Sequence, residues 1–400
     1  MGFILRKQRG MVVTKMAKLA VVLFVLSLAF SFTDTIWAVY LDSFVHNISI
    51  VGFISAFLTL ISFVSFFFIT TLIEKSSKTK LFSISLFLFF ISYLLFAINS
   101  NFYVVVVLAV LVTVLHTLRI TSFGILVKED SGKTQLSRNE GLMYTFMNLA
   151  WLVGPLIAGF ISDKYGISLI FVLSAIFILV SLLFFRMSRI RDPGIREREH
   201  PNVLKNFRDF FKDKDRGLAY VLGGGVNFWW SLIYVFIPVF IVENGLHIKW
   251  VGYFLFAIAM PLIIFSYHFS KLAGKVGFKK IFRVGFLIPC LMAFLCFFVG
   301  NIYLILLVLV FASIGLSMLE STTESYFLDI LKGKEELRFY GPYNTTIDVN
   351  HFVSRLFPSL LLLFLPFEFI FLFYGLAMFV FFLLSFRVKN IVEKNRKKKR

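Results

Sequence analysis

The chain has 400 residues, of which 59% are hydrophobic and only 16% charged, and it carries a formal charge of +19. A soluble protein of this size has about a quarter charged residues, so most of this chain belongs in lipid and the unit to count is the membrane span. Cys290 and Cys296 are the only cysteines and share one apolar run, which excludes a disulfide framework and offers no metal-ligand spacing; no metal or cofactor is expected.

In chain order, a basic stretch (Arg6, Lys7, Arg9, Lys15, Lys18) precedes the first apolar run. That run is too long for a signal-peptide core and lacks a small-residue cleavage site, so a retained span is expected. At about 20 apolar residues per span, twelve helical spans are predicted, near 17–42, 50–73, 81–98, 102–127, 140–162, 167–185, 217–242, 249–270, 281–298, 302–331, 339–364 and 367–386. The expected fold is an all-α integral membrane protein.

Nearly all of the 41 lysines and arginines then fall on one side, with only Lys164 and Lys249 on the other. The positive-inside rule places the N- and C-termini in the cytoplasm and a multi-pass chain in the cell membrane. It also accounts for the net charge without nucleic acid. The tail Lys394–Arg400 and the basic inner loops suit anionic lipid, although fixing topology is a sufficient role for them.

Residues 186–216 form the only sizeable polar segment. Arg191-Asp192-Pro193-Gly194 reads as a turn, and the aromatics in Asn206–Lys212 recur as on a short interfacial helix. The expected organisation is a six-helix bundle over 1–185, a cytoplasmic linker over 186–216 and a second six-helix bundle with a basic tail over 217–400. A shift of 200 residues supports it: Val51-Gly52 falls on Val251-Gly252, Asn101 and Tyr103 on Asn301 and Tyr303, and Arg138 and Gly141 on Arg338 and Gly341. Parallel repeats with a site between them are a recurrent transporter plan.

The loop after the second span reads Thr70-Thr71-Leu72-Ile73-Glu74-Lys75-Ser76-Ser77-Lys78-Thr79-Lys80, and its counterpart Ser270-Lys271-Leu272-Ala273-Gly274-Lys275-Val276-Gly277-Phe278-Lys279-Lys280. Together with the repeat, this resembles the major facilitator superfamily, whose signature there is Gly-x-Leu-x-Asp-Arg-x-Gly followed by two basic residues. The first copy keeps an acid-base pair, Glu74 and Lys75, and loses both glycines. The second keeps Leu272, Lys275, Gly277 and the basic pair, and loses the acid. The resemblance covers roughly residues 15–390 and implies two six-helix halves around a central cavity that opens alternately to each side. Gly154-Pro155, with Gly159, is similar to an element of the fifth span in many exporters of that superfamily; a generic kinked, closely packed span is the plainer reading.

Charges inside spans carry the functional expectation, because they are costly in hydrocarbon. They are Asp34, Arg119, Glu320, Glu324, Asp348 and Arg355, with His351 beside them. Ser27, Ser31 and Asp34 share a helix face, as do Ser313, Ser317, Glu320 and Glu324, and likewise Asn344, Asp348, His351 and Arg355. At about 1.5 Å per residue, Arg119 lies in an inner layer with Glu320, Glu324 and Asp348, and Asp34 in an outer layer with Arg355. Four acids meet two permanent cations, so some carboxylates lack a built-in partner and suit proton coupling or substrate contact. Structural salt bridges are the alternative. The resemblance matches Asp34 and Arg119 to charged residues of proton-coupled exporters. In the seventh span, Gly223-Gly224-Gly225 precedes Asn227, Trp229, Trp230 and Tyr234. A loosened helix with cavity-lining Asn227, Trp230 and Tyr234 is one reading, and close packing by small residues the other.

The function expected is secondary transport of a small solute, led by proton-coupled efflux of an amphipathic or cationic compound by a monomer. The alternatives are an importer or facilitator of a sugar or organic acid, a transport-dead receptor or scaffold, and a membrane-embedded lipid-modifying enzyme. No Gly-x-x-x-x-Gly-Lys-Ser/Thr loop is present, so ATP drive is not expected.

Overall fold

The computed structural model describes residues 15–190, 192, 203–331 and 335–389; at 15, 74, 128–142, 203–204 and 336–337 it describes the backbone alone. All regular structure among these residues is helical. The first half comprises α1 (Lys15–Val45), α2 (Ile48–Glu74), α3 (Lys78–Ile98), α4 (Phe102–Tyr165) and α5 (Ile167–Met187). A short α6 (Val203–Phe211) follows, then α7 (Lys214–Ser231), which passes through a π-helical turn (Leu232–Phe236) into α8 (Ile237–Glu243). The rest is α9 (Lys249–Val276), α10 (Phe278–Phe298), α11 (Ile302–Glu320), α12 (Thr323–Ile330), α13 (Glu335–Asn344), α14 (Thr346–Leu361) and α15 (Glu368–Ser385).

Eleven helical stretches among the described residues are long and apolar enough to cross a membrane. The eleventh expected span, near 339–364, is instead two short helices, α13 and α14, meeting at Thr345. This is also where three charged or titratable residues, Asp348, His351 and Arg355, interrupt the apolar run. The expected fourth and fifth spans both lie in α4. Its residues 119 and 150 both meet α1 at neighbouring positions, Phe30 and Ser31. A straight helix would hold residues 119 and 150 about 46 Å apart, so the path of α4 turns back between them.

Local sequence sets the helix starts. Asn47, Asn101, Asp213 and Asn301 each accept hydrogen bonds from backbone N–H groups two or three residues on, satisfying donors that a helix start leaves open. Gly166 and Gly277 have φ of 88° and 90°, which only glycine adopts without strain, and each joins two helices with no intervening loop. The helix starts repeat down the chain: α3 and α10 begin at 78 and 278, and α4 and α11 at 102 and 302.

Within lipid there is little hydrophobic drive between helices, so close packing and small residues hold them together. Two seams join the halves. On one, α2 meets α14: Ser49 Oγ donates to Ser359 O at 2.7 Å, and Gly52 lies against Ser359 and Phe236. On the other, α4 meets α9: a Cβ on Gly159 would lie 2.8 Å from the Cα of Gly252. Each half also has its own aromatic core, with Phe82, Phe89, Phe96 and Phe171 fully buried in the first and Phe236, Phe282, Phe286 and Tyr374 in the second. Phe68, Ile98, Phe298 and Phe364 are among the most exposed apolar side chains, as befits a lipid-facing surface.

Candidate functional site

Asp34 stands alone on its face of α1. Ser27, Ser31 and Ala38 on the same face are buried. Ser31 Oγ lies 3.0 Å from Leu28 O and 3.3 Å from Ala150 O, and Gly154 packs against its side chain. The serine stripe is thus a packing surface for α4, and only Asp34 on it is exposed to solvent. The Asp34 carboxylate makes no hydrogen bond or ion pair with a described residue. It feels the charges of Arg119 and Arg355 from beyond contact distance.

Arg119 comes from α4. Its guanidinium lies over the Phe30 ring at 4.2 Å, one helical turn before Asp34 on α1. Nη2 is 3.5 Å from His116 Nδ1, a marginal contact, and Nε is buried without a partner. The residue is 8% exposed, so a permanent cation is enclosed beside Phe30 and His116 with at least one donor unmet. Tyr93 OH, 3.2 Å from Thr33 Oγ1, completes this wall, and it feels both Asp34 and Arg119. The expected layers therefore change: Arg119 groups with Asp34, one turn from Phe30, rather than with the three carboxylates expected in the inner layer.

Arg355 on α14 is committed elsewhere. Its Nη1 donates to Thr59 Oγ1 at 2.7 Å and to Ser55 O at 3.2 Å, both on α2. Asp348, one side-chain layer away, faces Ser62 of the same helix. His351 Nδ1 lies 2.9 Å from Ser231 Oγ, which also accepts from Ser354 Oγ at 2.6 Å. So α14 turns one polar edge to α2 and another to α7. Arg355 bridges the halves, and His351 braces the π-helical turn that starts after Ser231.

The carboxylates of the tenth expected span diverge. Glu324 on α12 accepts from Tyr340 OH at 2.6 Å. Glu320, at the end of α11, is exposed and has no hydrogen bond or ion pair among the described residues. The helix breaks between them at Ser321 and Thr322, so the spacing of four no longer aims both at one space. Tyr234, in the π-helical turn, feels both Asp34 and Glu320. Its ring is 5.5 Å from Trp230 and 6.0 Å, edge on, from Trp151 of α4.

The glycine run does not loosen α7. Helix continues through it, and Gly223, Gly224 and Gly225 make room for Tyr343, Asn350 and Phe286 respectively. The irregularity comes one turn later, where Tyr234 projects from the π-helical turn. Asn227 and Trp230 are half-buried on the same stretch.

On the side that carries α6, Lys75 is exposed; the side chain of Glu74 lies outside the described residues. Asp192 is the partner that sequence did not suggest. Its Oδ2 accepts from Ser77 Oγ at 2.6 Å, Thr79 Oγ1 at 2.8 Å and Thr79 N at 2.9 Å, capping α3. Gly277 forms the equivalent turn in the second half. On the opposite side Asp163 lies 3.6 Å from Lys249 Nζ and 3.3 Å from His247 Nδ1, pinning α4 to the start of α9 across the seam.

The family model for the major facilitator superfamily matches residues 19–267 and 251–400, nearly the whole chain. The chain belongs to the major facilitator superfamily. It is a multi-pass membrane transporter rather than an enzyme, and its helices form the two pseudo-symmetric six-helix bundles of that fold. Among solved structures it is similar to the nucleoside transporter NupG, with a TM-score of 0.76 at 10% identity over 94% of this chain and all of that one. It is also similar to a POT family transporter solved in complex with 5-aminolevulinic acid, with a TM-score of 0.74 at 14% identity over 92% of this chain and 94% of that one. A structure of that family with a thioalcohol-conjugated peptide gives the same values. No curated protein sequence matches this superfamily member significantly.

Sequence reasoning missed Tyr93, His116 and Trp151, which line the same space as Asp34 and Arg119. A half-buried aromatic in a chain with 54 phenylalanines carries no signal by itself. His116 did carry one, as the turn-mate of Arg119 at i−3.

Proposed function

We propose that this transporter moves an amphipathic solute bearing a cationic group, coupled to protons, by rocking its two halves about a central site. One observation carries the reading. Asp34 and Glu320 are exposed carboxylates within apolar spans, on opposite halves, with no hydrogen bond or ion pair among the described residues, and both are felt by Tyr234. A carboxylate in that position binds either a proton or a cationic group, and that exchange is what coupling needs. Trp151, Trp230 and Tyr234 offer aromatic faces to an organic cation.

The remaining roles follow from position. Glu324, Asp348 and His351 tie helices together beside the site. Arg355 and the Asp163–Lys249 pair hold the two seams and must reorganise during transport. The side carrying α6 is assigned to the cytoplasm of the cell membrane by the excess of basic residues there, with residues 186–216 linking the bundles 1–185 and 217–400. The protein acts as a monomer, with anionic lipid at its basic loops.

Import of a metabolite is the second reading. Gly154, Pro155 and Gly159 are fully used in packing against Ser31 and Gly252, so the element that resembles exporters needs no export to explain it. Proteoliposomes with an imposed pH gradient separate these readings. Accumulation against the substrate gradient, with opposite sign for efflux and uptake, supports coupling. Transport that never exceeds equilibration, whatever the gradient, leaves a facilitator.

A further inference from the structure

The site has a second pole. Beside the two open carboxylates stands Arg119, enclosed between Phe30, His116 and Tyr93. The one described hydrogen-bond contact of its guanidinium is the 3.5 Å approach to His116. Its Nε is buried with no partner, and no carboxylate among the described residues lies within ion-pair distance. A guanidinium has five N–H donors in a planar fork that matches a carboxylate. Leaving such a cation enclosed and unpaired is costly. Arg355 also has its Nε buried with no partner, but its Nη1 is satisfied twice by α2. Arg119 is the less satisfied of the two cations, and its fork suits a carboxylate.

The opposite pole is Glu320. It has no ion pair with a described residue, and Tyr234 feels both it and Asp34. The Tyr234 ring has Trp230 and Trp151 at 5.5 and 6.0 Å. The site thus offers an anion acceptor, an aromatic wall and a cation acceptor.

We infer that the substrate is an amphipathic zwitterion, with its carboxylate on Arg119 and its amine toward Glu320 against the aromatic wall. This rests on the transport reading and narrows its substrate class. A purely cationic solute would leave Arg119 unpaired and place like charge beside it. A purely anionic one would face Asp34 and Glu320 unscreened. A zwitterion meets both poles with no net charge brought into the membrane.

The test uses the full chain in lipid nanodiscs and measures equilibrium binding, without transport. Probes are a series of aromatic and ω-amino acids of increasing amine-to-carboxylate separation, each beside its amine-only and carboxylate-only analogue. The expected result is at least one zwitterion that binds tenfold or more tighter than both of its analogues. Arg119→Gln should bring that zwitterion down to the affinity of its amine analogue and leave the amine unchanged. Glu320→Gln should bring it down to the affinity of its carboxylate analogue. Arg119→Lys, which keeps the charge, should retain part of the preference and controls for folding. Amine analogues binding as well as every zwitterion, or no zwitterion binding at all, overturns the inference. So does an Arg119→Gln variant that weakens amine and zwitterion equally. If an amine-only probe is nonetheless driven by a pH gradient in proteoliposomes, the transport reading stands while this one fails.

Discussion

Gly159 of α4 and Gly252 of α9 meet backbone to backbone across the seam between the halves, and 200 residues relate this contact to a second one. Add 200 to 159 and the residue is Ser359; subtract 200 from 252 and it is Gly52, which packs on Ser359. The repeat seen in the sequence is therefore a repeat of seam contacts, and the two contacts differ in what surrounds the missing Cβ. At Gly159 the obstacle is the Gly252 backbone, which cannot move aside. At Gly52 the nearest atom is the Ser359 hydroxyl, which can rotate. Gly159→Ala is expected to cost about 1–3 kcal/mol by overpacking, and Gly52→Ala much less. Cys290 and Cys296 are both buried, so thermal unfolding followed with a thiol-reactive dye reads the difference directly. Equal losses at the two positions would show that the seams do not differ in this way.

Arg355 gives a second measurable contact. It spans the α2–α14 seam through Thr59 Oγ1 at 2.7 Å and Ser55 O at 3.2 Å. Hydrogen bonds between membrane helices average about 0.6 kcal/mol, whereas those to charged groups reach about 1.5–3 kcal/mol. The guanidinium donor argues for the upper range. Thr59→Val is expected to lower stability by roughly 1–2 kcal/mol, and Arg355→Met by more, because it also strips Asp348 and Asp34 of a nearby positive charge. A wild-type unfolding temperature for Thr59→Val would remove the seam role from this pair.

The fold was legible because burial in lipid writes itself into composition. Apolar runs gave the spans, Asn101 and Asn301 mark equivalent starts, and basic loops divide the two sides. The site was legible only where charge is out of place in an apolar run, which is why Asp34, Arg119 and Glu320 stand out in the sequence. Partners were not legible. Nothing in the spacing of Glu320 and Glu324 shows that the helix breaks at Thr322 and sends them apart. Nothing near Arg355 in sequence shows that α2, some 300 positions away, holds it. The glycine run left two readings open for a physical reason: small residues both loosen a helix and admit neighbours, and here Tyr343, Asn350 and Phe286 take up the space.

On the α6 side, charge pairs join the linker to the second half. Asp209 pairs with Lys212 at 2.7 Å and with Arg338, whose Nε also donates to Asn206 Oδ1 at 2.9 Å. Lys389 pairs with Asp215. The Lys212 hydrogen bond, then that of Arg338, hold the Asp209 carboxyl below its ordinary value, so its contribution exists above the usual carboxylate range and is lost as pH falls through the lowered value. The Asp215 carboxylate raises Lys389, so that contribution is present below the usual lysine range and is lost as pH rises through the raised value. Docking of α6 and the end of α15 should therefore be firm near neutral pH and weaken at both extremes. Hydrogen exchange over residues 203–216 measures it. Asp209→Asn should remove the acid limb and spare the alkaline one; a variant that keeps the acid limb shows that another group controls it.

Asp34 carries the coupling prediction. It is exposed on a face of α1 where Ser27, Ser31 and Ala38 are packed away, so its side chain takes little part in packing the bundle. Its substitution should therefore spare folding: Asp34→Asn is close in shape and breaks no hydrogen bond or ion pair with a described residue. What it removes is a group that can release a proton. A difference of about one pH unit supports about tenfold accumulation for one proton per substrate. In proteoliposomes the wild type should approach that ratio, while Asp34→Asn should only equilibrate substrate, with exchange in the absence of a gradient intact. Glu320→Gln separates the roles further. If Glu320 serves the amine of the substrate, that variant loses affinity first and coupling second. Should Asp34→Asn still concentrate substrate as well as wild type, the proton is carried elsewhere. Glu320 is then the remaining unpartnered acid among the described residues of the site, and the same two measurements on Glu320→Gln decide between it and a facilitator.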